Sequence, residues 1–159
     1  TFIIHARKAI LQGLSPKENR KIPPLNYKRV YKIKENFPHL NIIINGGFTK
    51  LDQIKSQLKY VDGVMIGRAA YQNPFLLAKI DNLIFNSNET NETRRNILIK
   101  YKNYAEQQMR KGVNLRNLTR HLIGLYQGEP GARKYRQMLS GVVPKNNFHF
   151  FDEIIKTII

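Results

Sequence analysis

Two glycine-bearing turns, Asn45-Gly46-Gly47 and Gly67-Arg68, are the stretches of this sequence best suited to chemistry. Glycines leave backbone N–H groups uncovered, and the helical turn that follows each of them adds a partial positive charge. Arg68 adds a guanidinium whose planar fork matches the oxygens of a phosphate. These residue types therefore predict a phosphate cradle. The alternative is that the glycines only punctuate two strands.

Each turn follows an apolar run that is typical of a buried strand. The runs are Ile42–Ile44 and Gly63–Ile66, and a helix pattern lies between them. Thr49 and Asp52 predict a capping box at the start of that helix. Strand, helix and strand in this order predict a parallel βαβ unit, which places both turns at one edge of the sheet. In a (β/α)₈ barrel this edge commonly binds a phosphate.

A histidine, His5, ends another apolar run at the start of the chain. The run Thr1–Ile4 predicts a strand that delivers His5 to its carboxyl end. A lone histidine at a strand end is more often structural than functional. Because barrel active sites gather at these strand ends, a functional role for His5 is the alternative.

Pairs of basic residues three or four positions apart recur on the predicted helices, where such residues share a face. The pairs are Lys17 and Arg20, Arg116 and Arg120, and Arg133 and Arg136. Tyr135 lies between the last two arginines, and a basic face with an adjacent aromatic ring suits an RNA backbone and an unstacked base. Ordinary solvated charge is the alternative for each pair.

The overall charge points the same way, since 27 Lys and Arg residues face 11 acids and the formal charge is +16. Such an excess favours a polyanionic partner, above all nucleic acid. A basic proteome rich in Lys, Asn and Ile is the alternative. The sequence has no cysteine, so it offers no disulfide, thiolate metal site or catalytic thiol. We predict no metal site and no membrane span.

The composition changes near Asn82, and the stretch NSNETNET at Asn86–Thr93 is nearly free of large apolar residues. We therefore predict an α/β domain over 1–85 and a small all-α helical bundle over 86–159. The helix patterns of the second part are Arg94–Lys111, Leu115–Tyr126, Ala132–Leu139 and about Asn147–Ile159.

Four longer stretches keep a recognisable order and spacing: HARKAILQGLSPKENRKIPPL, NIIINGGF, VDGVMIGRAAYQNPFLL and TRHLIGLYQGEPGARKYRQML. Together they resemble the C-terminal half of a tRNA-dihydrouridine synthase of the bacterial DusA type. The resemblance covers essentially the whole chain. GLSPKENR and GLYQG-x-PGAR are specific to that branch, whereas NGG and GR also occur in other flavin barrels.

The resemblance implies an FMN-binding (β/α)₈ TIM barrel, with about the last three strands in 1–85, followed by a helical tRNA-binding domain at 86–159. It implies reduction of the C5–C6 double bond of D-loop uridines in tRNA, with NADPH reducing FMN first, in the cytoplasm. tRNA is the expected partner, with no DNA and no membrane. The N-terminal barrel half is absent, so we expect a fragment.

The resemblance also implies roles for single residues. His5 would lie against the flavin ring. The residues expected to hold the FMN phosphate are Asn45, Gly46, Gly47, Gly67 and Arg68. Those expected to contact tRNA are Lys17, Arg20, Arg133 and Arg136. The family's catalytic cysteine belongs to the absent half, so no catalytic residue is assigned and this chain alone is expected to be inactive.

Two other functions stay open. Another FMN-binding TIM-barrel oxidoreductase that acts on a small molecule would explain the two glycine turns, but not the basic helical tail. A non-catalytic RNA-binding remnant would explain the tail and the missing cysteine.

Overall fold

The computed structural model describes residues 1–85, 92–141, 147 and 149–158. Their contacts divide the chain into two compact units, Thr1–Ala69 and Ala70–Ile159. The domain boundary predicted at residue 86 falls on 86–91, which lie outside the described residues, and it stays a prediction. No helix in the described ranges combines the length and apolar character that a membrane crossing requires.

The first unit is built on a three-stranded parallel sheet in the order β1-β2-β3. The strands are β1 (Phe2–His5), β2 (Ile42–Asn45) and β3 (Gly63–Met65). The register aligns His5 with Asn45 and Asn45 with Met65, so the three carboxyl ends stand side by side. The parallel unit predicted from the alternation of strands and helices is therefore confirmed.

Helices connect and follow the strands of this unit along the chain. They are α1 (Pro16–Asn19), α2 (Tyr27–Asn36), α3 (Leu51–Gln57) and α4 (Arg68–Gln72), the last of which runs into the second unit. Ile42 and Ile44 on β2 are almost fully buried, as are Val30 on α2 and Ile54 on α3. A helix–sheet core of this kind removes β-branched side chains from water and thereby stabilises the unit.

The predicted capping box of Thr49 and Asp52 is wrong. Helix α3 begins at Leu51, so Lys50 occupies the N-cap and Gln53, not Asp52, is the third helical residue. The Gln53 side-chain oxygen accepts hydrogen bonds from the backbone N–H groups of Thr49 and Lys50, at 3.0 and 3.1 Å. The third helical position is the one that reaches back to the N-cap, which explains the change of partner.

Helices supply the regular structure described in the second unit. They are α5 (Phe75–Ile84), α6 (Arg94–Arg110), α7 (Leu115–Thr119), α8 (Ala132–Ser140) and α9 (Phe150–Ile158). Helices α6 to α9 share a core in which Leu98, Leu115, Tyr135 and Ile154 are fully buried. The arrangement as a helical bundle remains a prediction.

Helix α7 ends at Thr119, although the apolar spacing predicted a helix as far as Tyr126. The residues that follow turn with short-range hydrogen bonds, from Leu122 N–H to the Thr119 carbonyl and from Leu125 N–H to the Leu122 carbonyl. These bonds span three residues rather than four, so they keep some helical spacing of apolar side chains without a continuous α-helix.

Asp62 joins the start of β2 to α2 and should make the first unit sensitive to acid. Its Oδ2 lies 2.8 Å from Lys34 Nζ and accepts a hydrogen bond of 2.8 Å from the Ile42 N–H. The Lys34 bond, followed by that from Ile42, lowers the pKa of Asp62 below 3.8. A lowered pKa stabilises the fold above the unfolded-state value and loses that effect as pH falls through the folded-state value.

We therefore expect Asp62→Asn to lower the unfolding temperature at neutral pH. The difference from wild type should shrink as the pH is taken below about 4. Thermal unfolding of both proteins across this range measures it. If the unfolding temperatures of the two proteins differ by the same amount at every pH measured, the Asp62 carboxylate does not link stability to pH.

Candidate functional site

The carboxyl edge of the sheet brings together side chains from two strands and the backbone of the third. His5 Nδ1 lies 2.7 Å from Asn45 Oδ1, and Asn45 Nδ2 donates a hydrogen bond of 3.3 Å to the Met65 carbonyl. The second bond requires the Asn45 amide nitrogen to face β3, so its oxygen faces His5. His5 therefore donates from Nδ1, and Nε2 of this exposed side chain has no partner among the described residues.

The backbone of the first glycine turn disfavours side chains. Gly46 and Gly47 have φ angles of +139° and +74°. A Cβ at Gly46 would lie 2.7 Å from one Leu25 methyl, and one at Gly47 would lie 2.8 Å from the other. The Tyr27 hydroxyl donates a hydrogen bond of 2.7 Å to the Gly46 carbonyl. Leu25 thus packs against the turn and Tyr27 bonds to it, and the sequence pattern did not reveal either role.

The second turn is shaped differently. A Cβ at Gly67 would meet no atom within 4 Å, so neighbouring atoms do not require glycine there. Open space beside a bare backbone allows a ligand to approach the peptide closely. Within the described part of the chain, the N–H groups of Gly46, Gly47 and Gly67 have no hydrogen-bond acceptor. With the exposed guanidinium of Arg68, these donors fit an anionic group such as a phosphate.

Lys17 and Arg20 are both exposed in the first unit, on α1 and at its C-cap. The loop that carries them is held by Asn19, whose side-chain oxygen and nitrogen bond the Ile10 N–H and carbonyl, each at 2.8 Å. The Arg7 guanidinium bonds the Pro23 carbonyl across the same loop. Nothing in the sequence indicated the bonds to Ile10 and Pro23, because these partners lie nine and sixteen residues away along the chain.

Arg133 and Arg136 are both exposed on α8, as their spacing predicts. The expected aromatic partner is wrong: Tyr135 is fully buried, and its hydroxyl donates a hydrogen bond of 3.0 Å to the Leu122 carbonyl. Burial raises the pKa of Tyr135. Ala132, Tyr135 and Leu139 follow a spacing of three and four and face the core, so Tyr135 points away from the two arginines.

Arg94 anchors the second unit and belongs to its structure. Its Nε donates a hydrogen bond of 3.0 Å to the Leu125 carbonyl, and its terminal nitrogen lies 2.7 Å from the Glu129 carboxylate. The guanidinium carbon lies 3.9 Å from the centre of the Phe75 ring. These contacts give Arg94 a structural role, which distinguishes it from the exposed basic pairs on α1 and α8.

Comparison of the sequence with known proteins identifies its family. The family model described as dihydrouridine synthase matches residues 1–157. The chain belongs to this family.

Three similar relatives are all described as tRNA-dihydrouridine(20/20a) synthases. That of Shewanella oneidensis is 52% identical over 145 residues, which cover 91% of this chain and 43% of the relative. That of Escherichia coli K12 is 52% identical over 87% of this chain and 40% of its own length. That of Haemophilus ducreyi is 55% identical over 87% and 43%. The chain thus spans about two fifths of the length of the relatives it matches.

Proposed function

We propose that this chain is the C-terminal part of a tRNA-dihydrouridine synthase, which reduces the C5–C6 double bond of D-loop uridines in tRNA with FMN and NADPH in the cytoplasm. The observation that carries the proposal is the edge where His5, Asn45 and the two glycine turns meet, in a member of this family. The relatives' description supplies the substrate class.

The architecture we propose is the closing part of a (β/α)₈ barrel followed by a helical tRNA-binding domain from residue 86. Strand β1 lies at the edge of the sheet, and its Phe2 and Ile3 are 54% and 57% exposed. An open edge that carries large apolar side chains suits pairing and packing against further strands. The N-terminal barrel half is the partner that these features call for.

At the carboxyl edge, the backbone N–H groups of Gly46, Gly47 and Gly67 would hold the FMN phosphate together with Arg68. His5 would lie against the flavin, with its ring orientation set by Asn45. FMN that NADPH has reduced would supply a hydride to the uridine double bond, and a general acid would supply the proton that completes its saturation. The sequence has no cysteine, so the general acid of the reaction would come from the barrel half that these residues lack.

Removal of the Arg68 guanidinium should weaken flavin binding. The test uses a hybrid protein in which this chain replaces the matching segment of the Shewanella oneidensis relative. Arg68→Ala should cost about 1.5–3 kcal/mol of FMN affinity, the range of a charge-assisted hydrogen bond. The flavin-to-protein ratio after dialysis measures the loss. Arg20→Ala, in the same unit but assigned to tRNA, is the control and should retain flavin; an equal ratio in both variants would remove Arg68 from the site.

The arginines of α8 separate a tRNA enzyme from a flavoprotein that acts on a small molecule. In the hybrid, Arg133→Ala combined with Arg136→Ala should flatten the slope of log affinity against log salt by about 1.4–1.8, because each lost phosphate contact removes about 0.7–0.9. The KM for tRNA should rise, whereas the rate of flavin reduction by NADPH should stay unchanged. Binding of tRNA at several salt concentrations, beside that rate, measures both effects.

The matched control removes two exposed charges elsewhere, by Arg110→Ala with Lys111→Ala at the end of α6. If this control flattens the slope as much as the α8 pair, the arginines act only as general charge. If neither pair changes tRNA affinity, the result favours a flavin oxidoreductase that acts on a small molecule. A loss of flavin reduction in the α8 variant would mean that α8 supports the barrel instead of the RNA.

A further inference from the structure

The second unit contains a cavity of about 450 Å³ that the proposed flavin site does not use. Its lining includes Tyr71 and Gln72 at the end of α4, His121 and Gln127 in the turns after α7, and two arginines, Arg120 and Arg136. The volume lies within the usual range of about 300–1,000 Å³ for small-ligand sites. None of the described residues that line it is acidic.

Gly124 allows this cavity to form. A Cβ at this position would lie 2.1 Å from the Gln72 carbonyl oxygen and 2.7 Å from its carbon. Both neighbours are backbone atoms, so no side-chain rotation could relieve the overlap. The absence of a side chain at Gly124 therefore lets the turns after α7 pass directly against the end of α4, and this close approach forms one wall of the cavity.

Hydrogen bonds fix the rings on that wall. Arg120 Nε donates to His121 Nε2 at 3.1 Å, so this nitrogen carries a lone pair. The hydrogen of a neutral imidazole then sits on Nδ1, which lies 3.2 Å from the Tyr71 hydroxyl and can donate to it. The two rings meet edge to face, with centroids 6.0 Å apart and planes at 80°. Tyr71 is nevertheless 61% exposed, so most of its ring is open to a ligand.

We propose that this cavity binds one unpaired nucleotide of an RNA chain, an inference that rests on the proposed function. Tyr71 offers a fixed aromatic face on which a base can stack. The Arg120 and Arg136 guanidiniums match the phosphates on either side of that base. The Gln72 and Gln127 amides each carry donors and an acceptor and can bond the base edge. Two guanidiniums, with no acid among the described lining residues, favour an anionic ligand over a peptide that carries both acidic and basic side chains.

The experiment measures binding of the chain to a labelled uridine oligonucleotide and to an RNA duplex of the same length, by fluorescence anisotropy at one salt concentration. Tyr71→Leu and Arg120→Gln should each lower the affinity for the single strand by about ten-fold and the affinity for the duplex by less than about two-fold. The duplex should respond less because its bases stay stacked inside the helix. Tyr71→Phe retains the ring and should stay close to wild type for both RNAs.

Two controls change the same residue types elsewhere, Tyr104→Leu and Arg110→Gln, both at exposed positions of α6. They should leave the ratio of single-strand to duplex affinity unchanged. Thermal unfolding of each variant checks its fold, and Arg120→Gln, which changes an exposed side chain, keeps the test valid if Tyr71→Leu does not fold.

Equal losses on both RNAs, or no loss in Arg120→Gln, would overturn the nucleotide cavity. A wild-type chain that binds neither RNA nor tRNA would contradict the proposed function itself. A chain whose tRNA affinity depends on Arg133 and Arg136, but whose single-strand affinity is untouched by Tyr71→Leu and Arg120→Gln, would contradict this inference alone.

Discussion

The chain alone is expected to form no dihydrouridine when supplied with FMN, NADPH and unmodified tRNA, whereas the hybrid with the Shewanella oneidensis relative is expected to form it. The chain has no cysteine to donate the proton, and a positioned general acid contributes about 10²–10⁴-fold in rate. The described part of the chain also supplies three of the eight strands of the proposed barrel. Loss of both contributions should place the product of the isolated chain below detection.

Dihydrouridine in tRNA digests, quantified by mass spectrometry, measures the outcome, with the unaltered relative as the positive control. Product from the chain alone would require a general acid among its own residues and would end the fragment interpretation. A hybrid that folds, retains flavin and still yields no product would favour the non-catalytic RNA-binding remnant. The relative's half would already have supplied the general acid and the rest of the barrel, so the defect would lie in this chain.

Replacement of Gly124 by alanine is expected to be the most damaging single change in the second unit. The new methyl would overlap the Gln72 backbone, at 2.1 Å from its oxygen, and could be relieved only by moving the main chain of one segment. Forced overpacking costs typically about 1–3 kcal/mol and occasionally more, and we expect about 3 kcal/mol or more here. Displacement of the segment should also remove the cavity beside Tyr71.

Gly128→Ala is the matched control, because Gly128 has a φ of +82° but no atom within 4 Å of its would-be Cβ. This substitution should lower the free energy of unfolding by only about 1–2 kcal/mol, the cost of a side chain on a left-handed backbone. Thermal or urea unfolding of both variants measures the difference. If Gly124→Ala is no less stable than Gly128→Ala, the segment around Gln72 moves aside easily and the close approach is not a constraint on the fold.

Local signals in the sequence determined most of the secondary structure and the edge where the candidate site lies. The apolar runs predicted at Thr1–Ile4, Ile42–Ile44 and Gly63–Ile66 correspond to the three parallel strands, because such runs favour strands over a few residues. Glycine turns close the second and third runs. The parallel order then follows from connectivity, because the helical crossover returns each strand in the same direction. The exposed arginine pair of α8 likewise follows from helical periodicity.

The tertiary structure decided what joins residues distant in the chain. The bond between His5 and Asn45 spans 40 residues and depends on strand register, which neither residue type encodes. Tyr135 entered the core because neighbouring helices cover that face of α8. Gly124 lies in an apolar pattern that predicted an unbroken helix. Its role depends on the Gln72 carbonyl more than fifty residues earlier, and only the packed backbone brings the two within reach.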